Sequence, residues 1–152
     1  MPSFSKTKIL PHSAEKIYKL VMDIEKYPEF LPWCKNAKIT KVISAENLQA
    51  DLLISFKGFF EKYSSNVIHL QNDNYYKVNV CAISGPFKNL ENSWKISAID
   101  EENCEVDFFI EFEFSSIFLG KMIGMIFEKA TEKMMDAFEE RARGIGGNFP
   151  LE

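Results

Sequence analysis

The sequence predicts an α+β domain in which an antiparallel sheet of about seven strands curves around a long C-terminal helix, with two short helices after the first strand. Three observations lead there. The middle of the chain alternates apolar and polar residues with a period of two, in six successive segments separated by short turn clusters. The C-terminal part changes to three- and four-residue spacing and keeps it from Ile117 to Arg143, a helix of roughly 40 Å at about 1.5 Å per residue. Helical spacing elsewhere is confined to the stretch between the first strand and the meander.

Phe4 to Leu10 reads as the first strand, stopped by Pro11. Ser13 is suited to N-cap a helix from Ala14 to Met22 that carries Ile17, Leu20 and Val21 on one face. Asp23 is suited to cap a second short helix, which Pro28 should end near Tyr27. Phe30-Leu31-Pro32-Trp33-Cys34 then reads as an apolar, proline-broken loop. Strands follow around Ala37–Ile43, Leu48–Phe56, Tyr63–Leu70, Tyr76–Ala82, Leu90–Ile99 and Val106–Phe114. Their turns fall at Ala45-Glu46-Asn47, Lys57-Gly58, Gln71-Asn72-Asp73-Asn74, Ser84-Gly85-Pro86 and Asp100-Glu101-Glu102-Asn103. Such short connections make an antiparallel meander. Residues 1–144 are expected to form one domain, with 145–152 a flexible tail.

Composition narrows the function classes. The 152 residues are 46% hydrophobic and 26% charged, an ordinary globular balance. A net charge of −4 disfavours DNA as a partner, because a nucleic-acid surface needs concentrated basic charge. Cys34, Cys81 and Cys104 are widely spaced and form no Cys-x-x-Cys pair, so neither a zinc site nor a disulfide framework is indicated. No segment has a signal peptide's apolar core or the length to span a bilayer, so a soluble protein is expected. Fourteen phenylalanines are the compositional oddity, and they suit either a dense core or the walls of a cavity.

One long helix laid in a curved sheet fills the middle of the concavity but not both ends. A cavity is therefore expected between sheet, helix and the two short helices, lined by the inward face of the last strand with Met122, Ile123 and Ile126.

Four motifs, in order, are Phe30-Leu31-Pro32-Trp33-Cys34, Phe56-Lys57-Gly58-Phe59, Ser84-Gly85-Pro86-Phe87 with Leu90 and Trp94, and Ala137-Phe138-Glu139-Glu140-Arg141-Ala142. Together they resemble the coenzyme-Q-binding START-like family, which also includes bacterial proteins named ribosome association toxins and polyketide cyclase-like proteins. The resemblance covers nearly the whole chain. It implies a helix-grip fold with an apolar tunnel, no catalytic apparatus and no cofactor. In eukaryotic members the ligand is ubiquinone, and the protein supports respiration. Those members carry a mitochondrial presequence that is not seen here, so a bacterial cytoplasm is expected, with peripheral contact at the inner membrane. The chain departs from the family at Arg143-Gly144-Ile145-Gly146-Gly147, where a Tyr-Gly ending is usual.

For ubiquinone or a similar isoprenoid lipid the requirement is apolar area, at roughly 0.8 kcal/mol per buried methylene. The candidate lining is Leu31, Trp33, Phe56, Val78, Val80, Trp94, Phe108, Phe112, Met122 and Ile126, each of which would equally serve as an ordinary core contact. Leu31 and Trp33, in their proline-bracketed loop, either gate the cavity or pack beneath the sheet edge. Phe59 and Phe60 beside Lys57 and Gly58 either dip into a membrane interface or fold back onto the helix. The alternative partner implied by the family is the large ribosomal subunit, whose binding would block subunit association. It calls for a basic surface, and Lys35 and Lys38 are the candidates, near Lys41 and with Lys6 and Lys8 adjacent on the first strand. Catalysis is not expected: the two histidines, His12 and His69, have no triad or metal-site spacing to other groups.

Overall fold

Alternation decides the sheet, and the computed structural model shows how. It describes residues 3–56 and 58–146; the side chains of Phe59 and Ile145 and residues 147–152, most of the expected tail, lie outside the described set. Seven strands are present: β1 (Ser3–Leu10), β2 (Cys34–Ser44), β3 (Asn47–Phe56), β4 (Phe59–Gln71), β5 (Tyr75–Ser84), β6 (Phe87–Ala98) and β7 (Cys104–Phe114). They form one antiparallel sheet in the order β1-β7-β6-β5-β4-β3-β2. In β3 and β7 every second residue is buried, so Leu48, Ala50, Leu52, Ile54 and Phe56 share the inner face with Val106, Phe108, Ile110, Phe112 and Phe114.

Between β1 and β2 the chain crosses from one end of the strand order to the other by helix α1 (Ala14–Met22) and a 3-10 helix (Ile24–Glu29). Ser13 caps α1 as expected, accepting a hydrogen bond from the Lys16 amide at 3.1 Å. Asp23 does not cap through its side chain, and Pro28 lies inside the 3-10 helix instead of ending it near Tyr27. The tighter turn tolerates it, with the Phe30 and Leu31 amides both donating to the Tyr27 carbonyl.

The C-terminal helix is interrupted. Helix α2 spans Ile117–Glu132 and α3 spans Met134–Gly146, separated by Lys133. The Thr131 hydroxyl donates to the Glu128 carbonyl at 2.7 Å, and the Lys133 amide donates to Ala130 at 3.2 Å, three residues back instead of four. Local back-bonding of this kind bends helices. The buried stripe runs through the break: Ile123, Phe127, Thr131, Met134, Met135, Phe138 and Ala142 all lie inward.

Gly85 is the position where sequence and fold agree most tightly. Its φ is +124°, and a Cβ there would lie 2.5 Å from Tyr63 Cβ, so only glycine lets the β5–β6 turn close over β4.

Candidate functional site

Two helical phenylalanines fill the space between sheet and helices. The Phe127 ring lies 4.7 Å from Phe112, 5.3 Å from Phe87, 5.8 Å from Phe114, 5.9 Å from Phe56 and 6.5 Å from Trp33. Phe138 meets Trp94 at 4.9 Å, Phe30 at 5.0 Å and Tyr27 at 5.4 Å. Most of these pairs are edge-to-face, the arrangement favoured by the ring quadrupole. The inward-facing phenylalanines Phe56, Phe87, Phe108, Phe112, Phe114, Phe127 and Phe138 thus supply a packed aromatic interior as well as walls, while Phe60, Phe109 and Phe118 are exposed.

Two open spaces adjoin this aromatic packing. A groove of about 790 Å³ runs along the outside of the α2–α3 junction, floored by Leu31, Trp33, Phe56, Ile126, Ala130 and Met134. Its rim is charged, with Glu29, Lys129, Lys133, Asp136, Glu140 and Arg141. Behind it, under the sheet, a void of about 40 Å³ is bounded by Tyr63, Ser65, Val80, Asn92, Trp94 and Phe138 among others. That space suits roughly one water molecule. Trp33 and Met134 border both, so these two side chains form the partition.

The void has a polar wall. Asn92 Nδ2 donates to the Phe109 carbonyl at 2.9 Å, while its Oδ1 accepts from Trp94 Nε1 at 3.2 Å. The Ser65 hydroxyl donates to the Ala50 carbonyl at 3.2 Å. The Tyr63 hydroxyl makes no hydrogen bond among the described residues, and burial raises its pKa, so it stays protonated and able to donate.

The groove's outer edge is latched by Arg141, whose guanidinium donates to Glu29 Oε1 at 2.6 Å and lies 5.2 Å from the Phe30 ring centre. That hydrogen bond holds the Glu29 carboxyl below the usual carboxylate range. On the neighbouring face of α3, Lys8 reaches Glu139 at 2.6 Å and Lys6 reaches Asp136 at 3.8 Å.

The candidate residues separate into four groups. Leu31, Trp33, Phe56 and Ile126 come together around the groove. Val80 and Trp94 border the inner void. Val78, Phe108 and Phe112 are buried in the continuous core. Met122 is half-exposed and borders neither space. At the β3–β4 tip Phe60 is exposed, Gly58 has a φ of +84°, and Lys57 with the Phe59 side chain lies outside the described residues. Lys35, Lys38 and Lys41 are exposed on β2 and make no ion pair among the described residues. Lys6 and Lys8 do not join them: β1 and β2 are opposite ends of the strand order, and both β1 lysines are committed to α3.

Phe127, Met134, Phe138, Tyr63 and Asn92 shape the site without having been singled out from the sequence as lining, though Phe138 stands in the last of the four motifs. The helical spacing marks the first three as inward-facing, and the alternation of β4 does the same for Tyr63. Asn92 and Ser65, polar residues at inward positions of β6 and β4, are the local signals of a polar wall.

No group of three or more His, Cys, Asp and Glu suited to a metal occurs among the described residues. His69 Nδ1 is 2.8 Å from the Tyr18 hydroxyl, and His12 Nδ1 is 3.4 Å from Lys16 Nζ. Neither histidine borders the groove or the inner void. No helix among the described residues is long and apolar enough to cross a membrane.

Comparison with known proteins adds four findings. A family model described as polyketide cyclase / dehydrase and lipid transport matches residues 10–139. The ribosome association toxin RatA of Rickettsia prowazekii is 44% identical over 146 residues, covering 95% of this chain and 99% of its own. The mitochondrial coenzyme Q-binding protein COQ10 homolog B of Xenopus laevis is 29% identical over 148 residues, covering 95% of this chain and 59% of its own. Among solved structures, a START superfamily protein of Mycobacterium smegmatis superposes with a TM-score of 0.77 at 20% identity, covering 94% of this chain and 98% of that one.

Proposed function

Because this chain belongs to the polyketide cyclase / dehydrase and lipid transport family, we propose that it binds an isoprenoid quinone of the ubiquinone type without transforming it, in support of respiratory electron transport. The observation that carries this reading is the groove of about 790 Å³ with an apolar floor and a charged rim. Its size is that of sites that enclose lipophilic small molecules. Leu31, Trp33, Phe56 and Ile126 supply apolar contact to the isoprenoid tail, and Met134 adds an adaptable thioether side chain. The floor is apolar, and the carboxylates of Glu29, Asp136 and Glu140 stand on the rim. The coenzyme Q-binding relative, matched over 95% of this chain, agrees with the reading.

The test is native extraction. The protein is purified from a quinone-producing host, extracted with organic solvent, and the extract identified by mass spectrometry. A near-stoichiometric quinone is expected, lost in Trp33→Ala and Ile126→Trp but kept in Met122→Trp, because Met122 borders neither space. An empty protein that takes up no quinone from detergent would overturn the reading.

A second reading rests on different residues. The relative from Rickettsia prowazekii carries the name ribosome association toxin, and Lys35, Lys38 and Lys41 form an unpaired basic row on the terminal strand β2. Such a row suits a phosphate backbone. Under this reading Lys35→Glu with Lys38→Glu abolishes co-sedimentation with the large ribosomal subunit and leaves quinone content unchanged. Co-sedimentation that survives the double charge reversal would remove β2 from consideration.

A further inference from the structure

Helix α2 carries an apolar face that none of the described residues covers. Ile117 is 81% exposed, Phe118 70%, Met122 49% and Met125 73%. Phe118, Met122, Met125 and Lys129 recur at intervals of four, three and four residues, which places them on one face. The buried Ile123 and Phe127 occupy the opposite face. Between Ile117 and Phe127 the only ionisable side chain is Lys121, and the first carboxylate on the helix is Glu128. Lys121 and Lys129 are both exposed and make no ion pair among the described residues. Gly120 and Gly124 lie in the same turns with open space around them, and glycine weakens a helix in water. The stripe ends at Lys129, which stands on the groove's rim beside Ile126 and Ala130.

We propose that this face of α2 docks on an anionic lipid surface and sets the mouth of the groove against it. The proposal rests on the lipid-binding reading above, for which a water-insoluble ligand needs a path from bilayer to groove. Phe118, Met122 and Met125 enter the boundary between headgroups and acyl chains, while Lys121 and Lys129 extend to lipid phosphates. A second copy of the chain fits the same face poorly. A twofold pairing of the stripe with itself would bring Lys121 and Lys129 of both copies together, with the nearest carboxylates, Glu128 and Glu132, only at its edge.

Phe118 and Met125 border neither the groove nor the inner void, so Phe118→Glu with Met125→Glu separates docking from ligand binding. The full-length protein and this variant are floated with vesicles of phosphatidylcholine plus phosphatidylglycerol, and with phosphatidylcholine alone. The native protein is expected to float with the mixed vesicles, more weakly with the neutral ones, and the variant to lose at least roughly tenfold in partition. The urea midpoint and quinone uptake from detergent should be unchanged in the variant. Native protein that floats with neither vesicle, or a variant that floats as well as the native protein, overturns the proposal. So does a concentration-dependent dimer that the double substitution converts to monomer, because a second copy then covers the face. Docking on vesicles together with failure to take up quinone from detergent would leave the surface assignment standing and remove the quinone reading.

Discussion

Truncating Phe127 tests whether the interior is closed by packing. The side chain is 3% exposed and touches five other aromatic rings, from the loop before β2, β3, β6 and β7. Replacing a buried phenylalanine by alanine costs about 3–5 kcal/mol, the larger values arising where neighbours cannot collapse into the space. Here the neighbours are rigid rings held on strands, so about 4 kcal/mol is expected for Phe127→Ala. With a urea m-value of about 2 kcal/mol per molar, the midpoint falls by about 2 M with the slope unchanged. A dry cavity lined by rings should also accept a small apolar molecule. Benzene at saturation should raise the midpoint of the variant and leave that of the native protein where it was. A midpoint shift of less than about 0.5 M, corresponding to about 1 kcal/mol, would show that Phe127 does not plug the space between sheet and helices.

Three further outcomes follow from local geometry. Gly85→Ala should destabilise more than Gly58→Ala, since both have positive φ but only Gly85 has a Cβ position blocked, at 2.5 Å from Tyr63; equal urea midpoints for the two variants would refute the close approach. Burial pushes the Cys34 and Cys104 thiols up to about 11, while Cys81 is exposed; a thiol reagent at pH 8 should therefore modify one cysteine quickly in the native protein and three after unfolding, and two fast thiols would contradict the burial. The Glu29 carboxyl should titrate below its ordinary value of 4.5 by carbon NMR and rise toward it in Arg141→Gln, with Lys26 still holding it down. Its folded pKa is depressed, so the stabilisation from this latch is present above the unfolded value and lost as pH falls through the folded one; Glu29→Gln should lower stability at pH 7, by an amount that shrinks as the pH is lowered through the folded value.

The agreement between sequence and structure is uneven, for reasons visible in particular residues. Alternation in 48–56 and 106–114 gives the inward face directly, because a strand's side chains have a strict period of two and each strand reports on itself. Ser13 and Gly85 are legible for the same reason, as cap and turn chemistry is settled within a few residues. The break at Lys133 is not legible, since the buried stripe keeps its three- and four-residue spacing across it and Thr131 looks like any other helical residue. The four motifs point to the family, and the match over residues 10–139 bears that out.

Sequence by itself therefore determined the strands, the antiparallel meander of the last six, the Ser13 cap and the apolar character of the interior, all properties carried by local pattern. Only the tertiary structure decided which apolar residues face empty space. Leu31, Trp33, Phe56 and Ile126 border the groove while Val78, Phe108 and Phe112 are packed solid, although all seven are apolar and consistent with inward placement. Met122 belongs to the same helical repeat as its buried neighbours yet faces outward, half-exposed. The difference arises from where Phe127 and Phe138 reach across from the helices, and a ring's position opposite a distant strand depends on long-range register that no local pattern encodes.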